Sequence, residues 1–187
     1  MEKQDCISNG LKRKTGIDLA KCYQCGKCSA GCAIVDEMEF SPSYIMRLLQ
    51  TNNPKNDASV LQSEAIWLCV NCENCVSRCP NQVDLPIVMD YLRSVSLKKN
   101  CVNRKAHSIV AFHSAFLDSL KYTGRLYEVG LIADYKLRTH NWFQDISLVP
   151  SMLSKGKLSI MPEYTKDGKC IKRIFTLTFQ NNKNCKL

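Results

Sequence analysis

The stretch CYQCGKCSAGC, residues 22–32, and its echo CVNCENCVSRC, residues 69–79, decide how the rest of the chain is read. Both follow the order C-x2-C-x2-C-x3-C, with Cys22, Cys25, Cys28 and Cys32 in the first and Cys69, Cys72, Cys75 and Cys79 in the second. No other internal repeat is apparent.

At 187 residues and 45% hydrophobic content, the chain can bury one core with an appendage but hardly two large domains. It lacks the run of about eighteen apolar residues that a membrane span requires. The start, MEKQDCISNGLKRK, has no apolar stretch of the secretory kind, so the expected setting is the cytoplasm. In a reducing compartment clustered cysteines are metal ligands or redox groups rather than disulfides. The formal charge of +9 raises the question of nucleic acid. Eight thiolates around two cluster cores of charge 2+ would lower it to about +5, an ordinary basic protein.

Residues 1–15 read as a flexible polar lead-in, and the polar character runs on to residue 21. In SPSYIMRLLQTN, Ser41 is placed to cap and Pro42 to open a helix whose apolar face is Ile45, Met46, Leu48 and Leu49. NNPKND breaks it, and ASVLQSEAIWLC reads as one further helix carrying Trp67 and Leu68 to the second cysteine loop. Asp84 caps a third helix with Ile87, Val88, Tyr91, Leu92 and Val95 at helical spacing. A fourth, from RKAHSIVAF onward, places Ile109, Phe112, Phe116 and Leu120 on one face and stops near Gly124. Two less regular helical pieces are expected between Arg125 and Leu158, with a break near RTHN. The alternation of Phe175, Leu177 and Phe179 in IFTLTFQ is a strand pattern, although a lone strand at a chain end lacks a partner.

The spacing points to iron and sulfur. Three cysteines at steps of three turn their sulfurs around one cubic cluster, while the fourth ligates the other cluster in two-cluster ferredoxins. On that pattern one [4Fe-4S] site uses Cys22, Cys25, Cys28 and Cys79, and the other Cys69, Cys72, Cys75 and Cys32. The crossing staples the loops together, and the metal-free chain is expected to be partly unfolded. Gly26 and Gly31 let backbone approach the sulfides, and Pro80 turns the chain away, with Ala33 in the matching place of the first loop. Zinc, which takes cysteines in separated pairs, is the weaker fit.

Cys6, Cys101, Cys170 and Cys185 are isolated and read as free or buried thiols. His107, His113 and His140 lack ligand spacing to the loops. Lys27 and Arg78, inside the loops, are solvated charges or cluster-tuning groups, and Trp67 reads as a shield against water.

With these residues in hand, CYQCGKCSAGCAIVDEMEFSPSYIMRLLQ, IWLCVNCENCVSRCPNQVDLPIVMDYLR and FLDSLKYTGRLYEVGL together resemble the C subunit of soluble heterodisulfide reductases over roughly residues 16–162. The resemblance implies an all-α, α-helical ferredoxin fold enclosing two cubane clusters, with a C-terminal helical extension. It divides the chain into the lead-in (1–15), a dicluster domain (16–100), a helical extension (101–162) that belongs to the same domain or docks subunits, and a tail (163–187). It also implies a hetero-oligomer with a flavin-containing A subunit that supplies electrons and a B subunit that cleaves the disulfide. In methanogens that disulfide joins coenzymes M and B, while bacterial relatives join other electron-bifurcating assemblies.

The chain has no double-cysteine-glycine motif, dinucleotide fingerprint or phosphate-binding loop. The expected role is therefore electron transfer in an oxidoreductase complex, without catalysis by this chain itself. An alternative keeps the clusters but places them in a succinate, fumarate, glycolate or glycerol-3-phosphate dehydrogenase complex, whose iron–sulfur subunits share the cysteine loops. A third reading, a zinc-stabilised nucleic-acid-binding module, is disfavoured by scattered basic residues and the lack of an aromatic-basic motif. No nucleic acid and no direct membrane insertion are expected.

Overall fold

The computed structural model describes residues 6–142, 149–156 and 161–180. Its described residues form helices, short 3-10 turns and loops, with no strand, and divide into two compact units, Met1–Ala106 and His107–Leu187. None of the described helices is long and apolar enough to cross a membrane.

In the first unit the helices are α1 (Ile7–Thr15), α2 (Lys27–Ala30), α3 (Pro42–Gln50), α4 (Pro54–Leu61), α5 (Ala65–Leu68), α6 (Asn74–Ser77) and α7 (Leu85–Lys98). The lead-in is thus largely helical, which corrects the reading of residues 7–15 as flexible. Leu11 is fully buried, Ile7 nearly so, and the Ile7 N–H is taken by the Asp57 carboxylate at 3.1 Å. Gly16, at φ 76°, closes the helix by donating its N–H to the Lys12 carbonyl. α1 lies against α3 and α7.

α3 starts at Pro42 as expected and buries Ile45, Met46 and Leu49. The expected break before NNPKND is found, since α3 ends at Gln50, but it is short and α4 begins within that stretch: the Asn53 side chain accepts the Lys55 N–H, and Pro54 stands where a missing N–H costs nothing. The following segment is two helices rather than one. α4 ends at Leu61, the Ser63 hydroxyl bonds the Val60 carbonyl, and α5 begins afresh with Glu64 as its first carbonyl acceptor. Asp84 caps α7 by accepting the Ile87 N–H at 3.1 Å. The buried stripe of α7 is Leu85, Val88, Met89, Leu92 and Ser96, so the face is rotated from the expected one and Ile87 is 42% exposed. Together these helices enclose a core of Leu11, Ile45, Met46, Leu49, Leu61, Ile66, Met89 and Leu92.

The second unit contains α8 (His107–Thr123), α9 (Glu128–Thr139), α10 (Val149–Ser154) and α11 (Gly168–Gln180). α8 ends before Gly124 as expected, and α9 folds back on it. The Tyr127 N–H donates to Ser119 Oγ at 2.9 Å, Phe112 meets Tyr135 edge-on, and Arg138 bridges Asp118 and Asp134 at 2.7 and 3.0 Å. α9 stops at the RTHN break, where His140 takes a left-handed conformation. The strand expected at IFTLTFQ is the helix α11. Ile171, Ile174 and Phe175 also fit helical spacing, and the Thr176 and Thr178 hydroxyls bond carbonyls four residues back at 2.9 Å. A lone strand would have left its backbone groups unpaired, whereas a helix satisfies them internally. Cys185 and residues 181–187 lie outside the described residues.

Candidate iron–sulfur site

The two cysteine loops adopt the same backbone twice. In the first, Gln24 and Gly26 have positive φ (64° and 75°) before the short helix α2; in the second, Asn71 and Glu73 do (51° and 61°) before α6. Gly26 adopts that conformation without a Cβ penalty, while Glu73 holds it as a non-glycine residue. The carboxamide at the third position lies against the first sulfur in each loop, Gln24 at 3.6 Å from Cys22 Sγ and Asn71 at 3.5 Å from Cys69 Sγ.

A second correspondence comes from the helices that follow. Gln50, the last residue of α3, donates from its amide nitrogen to the Leu19 and Cys22 carbonyls at 2.8 and 2.7 Å. Arg93 of α7 donates to the Ile66 carbonyl at 2.6 Å and also to that of Cys69. Leu19 and Cys22 stand in the first repeat where Ile66 and Cys69 stand in the second. Each loop entrance is therefore clamped at the same two carbonyls by a long side chain, neutral in the first and cationic in the second. Asp90 accompanies the cation at 3.0 Å from Arg93 and also accepts from Asn71. Nothing in the linear sequence marked Gln50 or Arg93; their role appears only once α3 and α7 pack behind the loops.

The loops are interleaved. α2 packs against α6. A cavity walled by Ile34, Val70, Leu85, Pro86 and Met89 brings Cys32 of the first loop together with Cys69, Cys72 and Cys75 of the second. On the other side Tyr23 neighbours Cys25 and Cys79: partial desolvation, then the Cys25 thiol, then that of Cys79 push its phenol above the ordinary value. Cys79 Sγ accepts the Val83 N–H at 3.3 Å, and Asn81 donates to the Lys21 carbonyl, tying the exit of the second loop to the entrance of the first. Gly31 is approached by Arg78 of the other loop, whose side chain fills the space a Cβ would need.

Burial, and then the neighbouring Cys69, raises the Cys75 thiol to about 11; burial, with Cys22 adding, raises Cys28. A thiol held neutral by burial, as Cys75 is, is made tenable as a thiolate by a bound cationic centre. Among the described residues no three His, Cys, Asp or Glu side chains converge for a single ion, which needs its sulfurs about 2.3 Å from one point. The donor set fits a larger, sulfur-ligated core.

Of the remaining residues singled out in the sequence, Trp67 is buried two positions before Cys69, its indole N–H lacking a partner among the described residues. Cys6 and Cys101 line a different cavity, beside Asp57 and Lys99. Cys170 is exposed on α11, and His107 and His113 lie on α8 in the second unit.

The geometry defines a helical iron–sulfur domain, and residues 18–83 match the family model of the 4Fe-4S dicluster domain. Relatives of the chain include C subunits of heterodisulfide reductases, in accord with the resemblance drawn from the loops. It is 32% identical over 95 residues to the C subunit of the ferredoxin:CoB-CoM heterodisulfide reductase of Methanosarcina acetivorans, covering 51% of this chain and 37% of that one. It is also 32% identical over 110 residues to the iron-sulfur C subunit of the CoB–CoM heterodisulfide reductase of Methanopyrus kandleri, covering 59% and 55%. A third relative, the C subunit of the H(2):CoB-CoM heterodisulfide,ferredoxin reductase of Methanothermobacter thermautotrophicus, is 26% identical over 92 residues, 49% and 48% of the two chains. The matched stretches thus span about half the length of these relatives or less.

Proposed function

We propose that the chain is the electron-transfer iron–sulfur subunit of a heterodisulfide-reductase-like complex in the cytoplasm, taking electrons from a flavin-containing A subunit and delivering them to a disulfide-reducing B subunit. Two [4Fe-4S] clusters supply the one-electron chemistry when bound. One is held by Cys22, Cys25, Cys28 and Cys79, the other by Cys69, Cys72, Cys75 and Cys32. The observation that carries this reading is the gathering of Cys32 with the second loop's first three cysteines around one cavity, matched by the neighbourhood of Cys79 and Cys25 at Tyr23. A dicluster domain implies two such sites, and the relatives' names supply the kind of complex.

The chain's own residues do the holding. The thiolates anchor, Gln50 and Arg93 lock the loop entrances, and Ile34, Leu85, Pro86 and Met89 keep water from one side of the second site. The direct test is anaerobic iron and acid-labile sulfide analysis with an electron paramagnetic resonance spectrum of the reduced protein. About eight of each per chain and two interacting reduced clusters are expected; zinc without sulfide overturns the reading. Co-purification with a flavoprotein and a disulfide-reducing partner is expected. A dehydrogenase flavoprotein without the latter would instead assign the chain to a succinate- or glycolate-oxidising type of complex.

A further inference from the structure

The near-equivalence of the two loops makes their differences in charge informative. Superposing the repeats by sequence pairs Gly26 with Glu73, Lys27 with Asn74, Lys21 with Leu68 and Gly31 with Arg78. Glu73 occupies the same left-handed backbone position as Gly26, directly after Cys72; it is an exposed residue that also borders the apolar cavity shared by Cys32, Cys69, Cys72 and Cys75. No carboxylate stands at the corresponding point of the first loop, where a Cβ on Gly26 would meet open space; Lys21 precedes that loop's first cysteine and Lys27 lies between its second and third. The other charges do not cancel this asymmetry. Arg78 directly precedes Cys79 and its side chain reaches Gly31, the residue before Cys32, so it neighbours one crossed ligand of each site in sequence. Arg93, the cation at the Cys69 carbonyl, is offset by Asp90.

A negative charge beside a cluster disfavours adding an electron to it, and positive charge favours it. We infer that Glu73 holds the second-loop cluster at a lower potential than the first-loop cluster, so that an electron entering the pair comes to rest on the first-loop side. The inference rests on the two-cluster reading above. Glu73 acts through its charge alone: one electron leaves the second-loop cluster, which returns to 2+, and reduces the first-loop cluster to 1+, and no bond or proton changes hands. The direction of the wire is then written into one side chain that the two loops do not share.

The experiment is a potentiometric titration of the full chain, reconstituted anaerobically with iron and sulfide and followed by electron paramagnetic resonance. Glu73→Gln keeps the shape and removes the charge. It is expected to raise the more negative midpoint so that the electron's partition between the clusters changes by about threefold to tenfold, tenfold being 59 mV for one electron. The other midpoint should move much less. Gly26→Glu, which places a carboxylate at the matching point of the first loop, should lower the higher midpoint and bring the two together. Two clusters with midpoints that Glu73→Gln leaves in place, or a shift confined to the higher one, overturn the inference while leaving the two-cluster reading intact. A chain that binds no iron and sulfide overturns the reading itself.

Discussion

Gln50 illustrates how much of an iron–sulfur loop is held by residues that are not ligands. Its amide nitrogen is shared between two carbonyls, those of Leu19 and Cys22, at the point where the chain turns into the first loop. Carbonyls left unpaired in a part-buried site cost about 1–3 kcal/mol, more than the net gain from a typical hydrogen bond. Gln50→Glu preserves the length of the side chain, removes both donors and sets a carboxylate against two carbonyl oxygens. It is expected to lower unfolding free energy by about 2 kcal/mol and to speed chelator-driven iron loss from the first-loop site while the second-loop site is retained, as read by denaturant titration and by the amplitude of the two reduced-cluster signals. Equal loss from both sites would mean that the clamp steadies the whole unit rather than one loop. The two cysteine loops are legible from their repeated spacing alone, and the matched residues 18–83 take in both of them. The clamps are not legible, because a glutamine or arginine more than twenty positions from the carbonyl it holds has no local signature; only the return of α3 and α7 behind the loops gives it a carbonyl to reach.

Among the elements, the legible ones are those whose signals are local. Pro42 at the start of α3, the Asp84 cap of α7 and the stop of α8 before Gly124 each satisfy a backbone requirement within a few residues, and each is found where the sequence puts it. The elements read wrongly depend on distant partners. α1 is short, mostly polar and without an acidic first turn, so its propensity alone predicts little. Its first N–H is satisfied by Asp57, fifty residues on, and Leu11 finds its burial against α3 and α7. Asp57 is held there at a cost, since burial pushes its carboxyl above the usual range against the pull of the Ile7 N–H and Lys99, and its second oxygen has no partner among the described residues. Asp57→Ala should leave the Ile7 N–H unpaired and destabilise the unit by about 1–3 kcal/mol. Hydrogen exchange should then show α1 losing protection before α3 and α7; unchanged exchange in Ile7–Leu11 would mean that Leu11 packing alone holds the helix.

On the scale of the whole molecule, the chemistry is concentrated in one of the two units. All eight loop cysteines, both carbonyl clamps and the matched residues 18–83 fall within Met1–Ala106. The second unit holds none of them; its helices are joined to one another by α8–α9 and α8–α11 packing and by the Arg138 bridge. Cluster ligation links segments far apart in sequence and so contributes directly to folding of the unit that contains it. A chain ending at Ala106 is therefore expected to take up about eight irons, as the full chain should, and to give the same reduced spectrum. Without metal, the same fragment should lose cooperative unfolding, because its loops and short helices bury too little apolar surface around eight free thiols to hold their places unaided. Iron uptake well below that of the full chain would show that the second unit takes part in building the cluster sites; an equal uptake would show that Met1–Ala106 builds them without it.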